Sequence, residues 1–171
     1  MEGTSTDPEL ETRIRRIESK LVAIAARTHL TGLGILNINA RQFNSQARDP
    51  QDQLQALQVA ESNESEGLCY RRPDGFPRTL IEAISLRWDA KRLTQLLGFY
   101  NVKIFRPGKH VYTASEGHEE GEDSHQYIDV DDEVQVEAHS KECFTYFICY
   151  IGLKRKVVEN YLPSTERRQT E

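Results

Sequence analysis

Between residues 10 and 24 the large apolar side chains fall at Leu10, Ile14, Ile17, Leu21 and Ile24, in steps of 4, 3, 4 and 3. This is the spacing of a heptad seam, narrower than the stripe by which a core helix meets its own domain. Asp7-Pro8-Glu9 supplies a start signal: Asp7 suits the cap, Pro8 the first helical position, and Glu9 and Glu11 the positive end of the helix dipole. The segment is expected to be a helix whose five apolar residues form an oligomerisation ridge. With Ile14 at heptad position a, Ile17 takes d, Arg13 takes g and Glu18 the following e, a complementary pair for a parallel partner. The ridge covers about two heptads and Thr28 occupies the next a position, so an amphipathic helix docked on its own domain is the alternative.

Local patterns assign most of the chain beyond this ridge. Gly32 to Ile38 is apolar with two glycines and is compatible with either a helix end or a short strand. Its G-x-G lacks the remaining features of a dinucleotide fingerprint. Residues 44–66 are rich in Gln, Asp, Ser, Asn and Glu and read as a linker. Leu68 to Arg71 reads as a strand, Pro73-Asp74-Gly75 as a turn, and residues 78–98 as two short helices or one bent helix, with Asp89 as a cap and Gly98 as a stop. Phe99 to Phe105 and His110 to Thr113 flank the turn signal Arg106-Pro107-Gly108-Lys109 and predict a hairpin. Ile128, Val130, Val134, Val136 and Ala138 share one parity, which predicts a half-buried strand broken only at Asp132. Cys143 to Ile151 is apolar on both parities and predicts a central strand ended by Gly152, and Lys154 to Leu162 reads as a basic helix. The expected fold is α+β: an N-terminal amphipathic helix of coiled-coil character over 1–43 and a flexible linker over 44–66. A mainly antiparallel sheet of about four or five strands on one or two helices comes next over 67–162, then a polar tail over 163–171.

At 171 residues the chain is sized for one ordinary domain. No apolar run approaches the ~20 residues of a membrane span. The longest is Cys143 to Ile151, so no transmembrane segment is expected. Met1-Glu2-Gly3-Thr4 has neither the basic flank nor the apolar stretch of a secretory signal. Cys69, Cys143 and Cys149 are too scattered for a disulfide framework or a zinc site, and Cys143 and Cys149 read as core packing. A reducing compartment, cytoplasmic or nuclear, is the expectation.

Charge is strongly segregated. Glu116 to Glu137 holds ten acidic residues and no Lys or Arg in a chain of net charge -5, so the remainder carries +5. Within it Glu119, Glu120, Glu122, Asp123, Asp129, Asp131 and Glu133 are candidate contacts for a basic partner surface. Arg87, Lys91, Arg92, Lys154, Arg155 and Lys156 are the candidate basic contacts, and they complement that segment on a neighbouring protomer. His110, His118, His125 and His139 lie in or beside the acidic segment, which makes a divalent-metal site or an enzyme over residues 110–139 an alternative. The spacing matches neither H-E-x-x-H nor an EF-hand loop, since Val134 stands where the loop needs glycine. No nucleophile motif, phosphate-cradling loop or deaminase signature is present. These features favour a non-enzymatic, self-associating scaffold with no cofactor, whose partners are itself and other proteins. A viral matrix-type protein on an anionic membrane or nucleocapsid is the other alternative, and the net charge opposes strong nucleic-acid binding.

Overall fold

The computed structural model describes residues 8–63, 67–105 and 127–163, and these are mixed helix and sheet. In chain order the elements are α1 (Pro8–Asn44), β1 (Val59–Asn63), β2 (Gly67–Arg71), α2 (Leu80–Ser85), a 3-10 turn (Leu86–Trp88), α3 (Ala90–Phe99), β3 (Ile104–Phe105), β4 (Tyr127–Ile128), α4 (Glu133–Ala138), α5 (Ser140–Tyr150) and α6 (Arg155–Glu159). The described strands form two antiparallel two-stranded sheets, β1 with β2 and β3 with β4, in place of the single larger sheet expected. The chain divides into two compact units, one of residues 1–37 and 58–71, the other of 38–57 and 72–171.

The first unit joins most of α1 to the β1-β2 hairpin, registered Val59 to Arg71 and Glu61 to Cys69. Helix continues unbroken through Gly32 and Gly34. Thr28 and Thr31 turn their hydroxyls back to the Ile24 and Arg27 carbonyls at 2.9 Å, satisfying themselves within the helix. The Asn37 side chain accepts from the Gln58 N–H and donates to the Gln58 carbonyl, both at 2.8 Å, pinning the start of the hairpin to the helix. The Tyr70 hydroxyl donates to the His29 carbonyl at 2.6 Å and pins its end. The stretch 44–66, expected as a linker, thus supplies β1.

The second unit holds the core. Leu80, Ala83, Leu86, Leu93, Leu96, Leu97, Val136, Phe147, Ile148, Ile151 and Val158 are almost fully buried, together with Leu57. Two segments with strand patterns are helices here. Asp132 caps α4 by accepting from the Val134 N–H at 2.9 Å, and Gln135 three residues on donates back to it at 3.3 Å. The period-two alternation from Ile128 to Ala138 is therefore split: Ile128 stays in β4, Val136 is buried in α4, and Val134 is 73% exposed. In α5 the buried residues are Cys143, Phe144, Phe147 and Ile148, a helical stripe. Tyr146 and Cys149 lie outside it and are exposed, so Cys149 is not a core residue. Burial raises the Cys143 thiol to about 11, with the neighbouring Glu142 carboxylate adding to the shift. α2, the 3-10 turn, α3 and α6 fall where they are expected. Helix α3 passes Gly98 and ends at Phe99 with Tyr100 as its C-cap, and Asn101 follows in the left-handed region at φ 47°. Gly98 serves a close approach instead: a Cβ there would lie 2.6 Å from Asp131 Oδ1. β3 pairs with Tyr127–Ile128, and the expected partner strand His110–Thr113 lies outside the described residues.

The last turn of α1 is anchored in this unit by a buried Asn44. Its side chain donates to the carbonyls of Gln55 and Ile151 at 2.9 and 2.8 Å and accepts from the Gln55 N–H at 2.7 Å. Arg41 lies over the Tyr150 ring at 5.0 Å and donates to the Tyr150 carbonyl. Gly152, at φ 92°, is required twice over, because a Cβ would meet the Arg41 carbonyl at 2.6 Å.

Candidate self-association surface

In the first unit the five ridge residues predicted from spacing all lie on α1, and all face outward. Leu10, Ile14, Ile17, Leu21 and Ile24 are 45 to 62% exposed. The helix carries the register beyond Thr28. Thr28 and Thr31 occupy the next a and d positions and Ile35, 56% exposed, the a position after them. With their hydroxyls bonded inside the helix, the two threonines need no polar partner across an interface. The seam from Leu10 to Ile35 therefore spans more than three heptads. The signal for the extension lay in the continuing 4-3 rhythm, obscured by two threonines that count as polar.

The opposite side of the helix is the one this unit covers. Ala26, Leu33 and Asn37 are half-buried and share a stripe roughly 180° around from the seam, counting about 100° per residue. Gly32 is half-buried as well, with the Tyr70 hydroxyl 3.5 Å from where its Cβ would stand. No described residue of the first unit is buried; the buried residues all belong to the second. A groove of about 450 Å³ opens along the seam between Ile24, Arg27, Thr28, Thr31, Gly32 and Ile35.

The two edges of the seam carry opposite charge. Positions g hold Arg13, Lys20 and Arg27, and positions e hold Glu11 and Glu18, all exposed. α1 is also the one helix among the described residues long and apolar enough to cross a membrane, with an 18-residue stretch of mean hydropathy 1.4. Arg27, Thr28 and His29 interrupt its apolar residues, so the sequence expectation of no transmembrane segment did not include it.

The other predicted contacts that are described lie in the second unit. Arg87 donates to Ser140 Oγ at 2.6 Å. Arg92 donates to the Gly75 carbonyl at 2.8 Å and approaches Glu82 at 3.9 Å, while Arg155 pairs with Glu159 one turn along α6. These three guanidiniums are engaged in the fold, and Lys91, Lys154 and Lys156 are exposed. Of the acidic set, Asp129, Asp131 and Glu133 are exposed around the α4 cap, and Glu119, Glu120, Glu122 and Asp123 lie outside the described residues, as do His110, His118 and His125. Among the described residues no group of three or more His, Cys, Asp or Glu is arranged to hold a metal ion.

No protein-family model matches the chain, and neither the curated proteins nor the solved structures contain a detectable relative.

Proposed function

We propose that the chain is a non-enzymatic assembly protein that multimerises through α1 in parallel register and recruits partner proteins to the assembly. The supporting observation is the seam from Leu10 to Ile35, exposed on a unit with no buried described residue. A two-stranded hairpin and a solvated helix are each marginal alone in water, so this unit gains its stability by covering the seam. Burying the exposed half of Leu10, Ile14, Ile17, Leu21, Ile24 and Ile35 contributes on the order of 1 kcal/mol per side chain. Association costs at least about 4 kcal/mol in lost rigid-body freedom, so the net attraction is moderate and steeply concentration-dependent.

The charged edges select the occupant and its direction. Parallel copies set the basic g edge of one helix against the acidic e edge of the next, pairing Arg13 with Glu18, whereas antiparallel copies oppose like charges. An anionic membrane surface is a second reading, favoured by the hydropathy of α1. It is the weaker one, because Glu11 and Glu18 border the seam. A helix that crossed the bilayer would also draw the hairpin bonded at His29 and Asn37, with its Arg71–Glu61 ion pair, into hydrocarbon.

Light scattering on the full chain across concentration and salt tests the proposal, with Ile17→Asp as the variant that places a charge in the seam. The expected result is a mass that rises with concentration for the natural chain and stays at one protomer for the variant. A natural chain that is monomeric in every condition removes the proposal. If that monomer then sediments with phosphatidylserine vesicles, the membrane reading takes its place.

A further inference from the structure

We infer, resting on self-association through α1, that the assembly contains three or four parallel helices and not two. The warrant is the shape of the side chains at d. In a two-stranded parallel coiled coil the Cα–Cβ bond at d points straight at the facing helix. Leu fits that geometry and β-branched residues fit it poorly, while a accepts Ile readily. Here the d positions are Leu10, Ile17, Ile24 and Thr31, three of the four β-branched. The heptad beginning at Ile14 has Ile at both a and d, and the heptad beginning at Leu21 has Leu at a and Ile at d. The first combination favours three strands and the second four, and neither is the Ile-at-a, Leu-at-d pairing of a dimer. The seam also has no Asn or Lys at an a position of the kind that specifies a two-stranded register.

The flanks carry the same message independently. In bundles of three or four helices the e and g positions move from the rim toward the interface, so small residues there let neighbours close in. Beyond Ile24 these positions are Ala25 and Gly34, both exposed, and Gly32, half-buried beside the Tyr70 hydroxyl, with Arg27 the one large side chain. The groove accordingly runs off the a/d line onto both edges, touching Gly32 on the e side and Arg27 on the g side. A ring of parallel helices joins each g edge to the next e edge, so every neighbouring pair makes the Arg13–Glu18 contact and the ring closes.

Sedimentation equilibrium on the full chain reads the number directly, against a protomer of 19.7 kDa. The limiting mass is expected at three or four protomers. The triple variant Ile17→Leu, Leu21→Ile, Ile24→Leu restores Ile at a and Leu at d and is expected to settle at two protomers. A natural chain that saturates at two protomers overturns this inference and leaves self-association standing. A natural chain that remains at one overturns both. Should the triple variant lose its helix signal in circular dichroism, the limiting mass of the natural chain still decides between two and more.

Discussion

Asp52 shows how much one side chain organises in a loop of polar residues. Its carboxylate accepts the N–H groups of Arg48 at 2.6 Å and Asp49 at 2.9 Å, and those two bonds hold its pKa below the ordinary 3.8. Its backbone carbonyl accepts the Leu80 N–H at 3.0 Å, tying the loop to the start of α2. A depressed carboxylate stabilises the folded chain above its unfolded pKa and loses that contribution as pH falls through the folded value. The urea midpoints of the natural chain and Asp52→Ala are therefore expected to differ most at neutral pH. They should converge below about pH 4. A gap that is constant across that range would mean the carboxylate charge is not what stabilises the loop. Asn44 is the other organising residue, and its sequence neighbourhood hides it. An Asn near a helix end reads as a surface cap, yet this one is buried with three backbone partners drawn from residues 55 and 151. Such partners are invisible to any window of the sequence.

Helix α1 was legible at its start and along its first two heptads, because a 4-3 rhythm in Leu and Ile is a geometric statement that needs no tertiary context. Its continuation through residues 32–38 was not, since two glycines weaken helix and strand alike and the choice fell to the hairpin bonds at Asn37 and His29. α4 and α5 misled for a different reason. The alternation from Ile128 to Ala138 imitates a half-buried strand, and a short run apolar on both parities, Cys143 to Ile151, looks alike in a buried strand and a buried helix. The overlooked evidence was the cap: Asp132 accepts the Val134 N–H at the start of α4, as Asp89 accepts the Arg92 N–H at the start of α3. For α1 the charged edges allow a sharper test than loss of association. Glu18→Arg sets like charges against Arg13 and is expected to weaken assembly about tenfold at low salt, an effect that fades at high salt. The double variant with Arg13→Glu reverses the pair and should recover assembly. No recovery would mean that the two positions do not meet, which excludes the parallel register.

The two units divide the work of the molecule unequally. One carries the buried side chains, among them Phe147, wholly enclosed and facing the Phe76 ring at 6.5 Å. The other exposes the longest apolar ridge and buries nothing of its own among the described residues. Stability and assembly are therefore expected to separate by mutation. Phe147→Ala should cost about 3–5 kcal/mol in the denaturant transition while leaving the limiting mass unchanged. Ile17→Asp should abolish the mass change and leave near-ultraviolet dichroism of the core aromatics intact. If Phe147→Ala abolished assembly while the chain remained folded, the ridge would not be acting alone. What residue order was enough to specify is the ridge, its register and its charged borders, because a helix places side chains by spacing alone. Which side of that helix stays open, and whether 133–138 and 140–150 are helical, depended on contacts from distant residues. Exposure and the contest between helix and strand in short apolar runs are settled by what packs alongside.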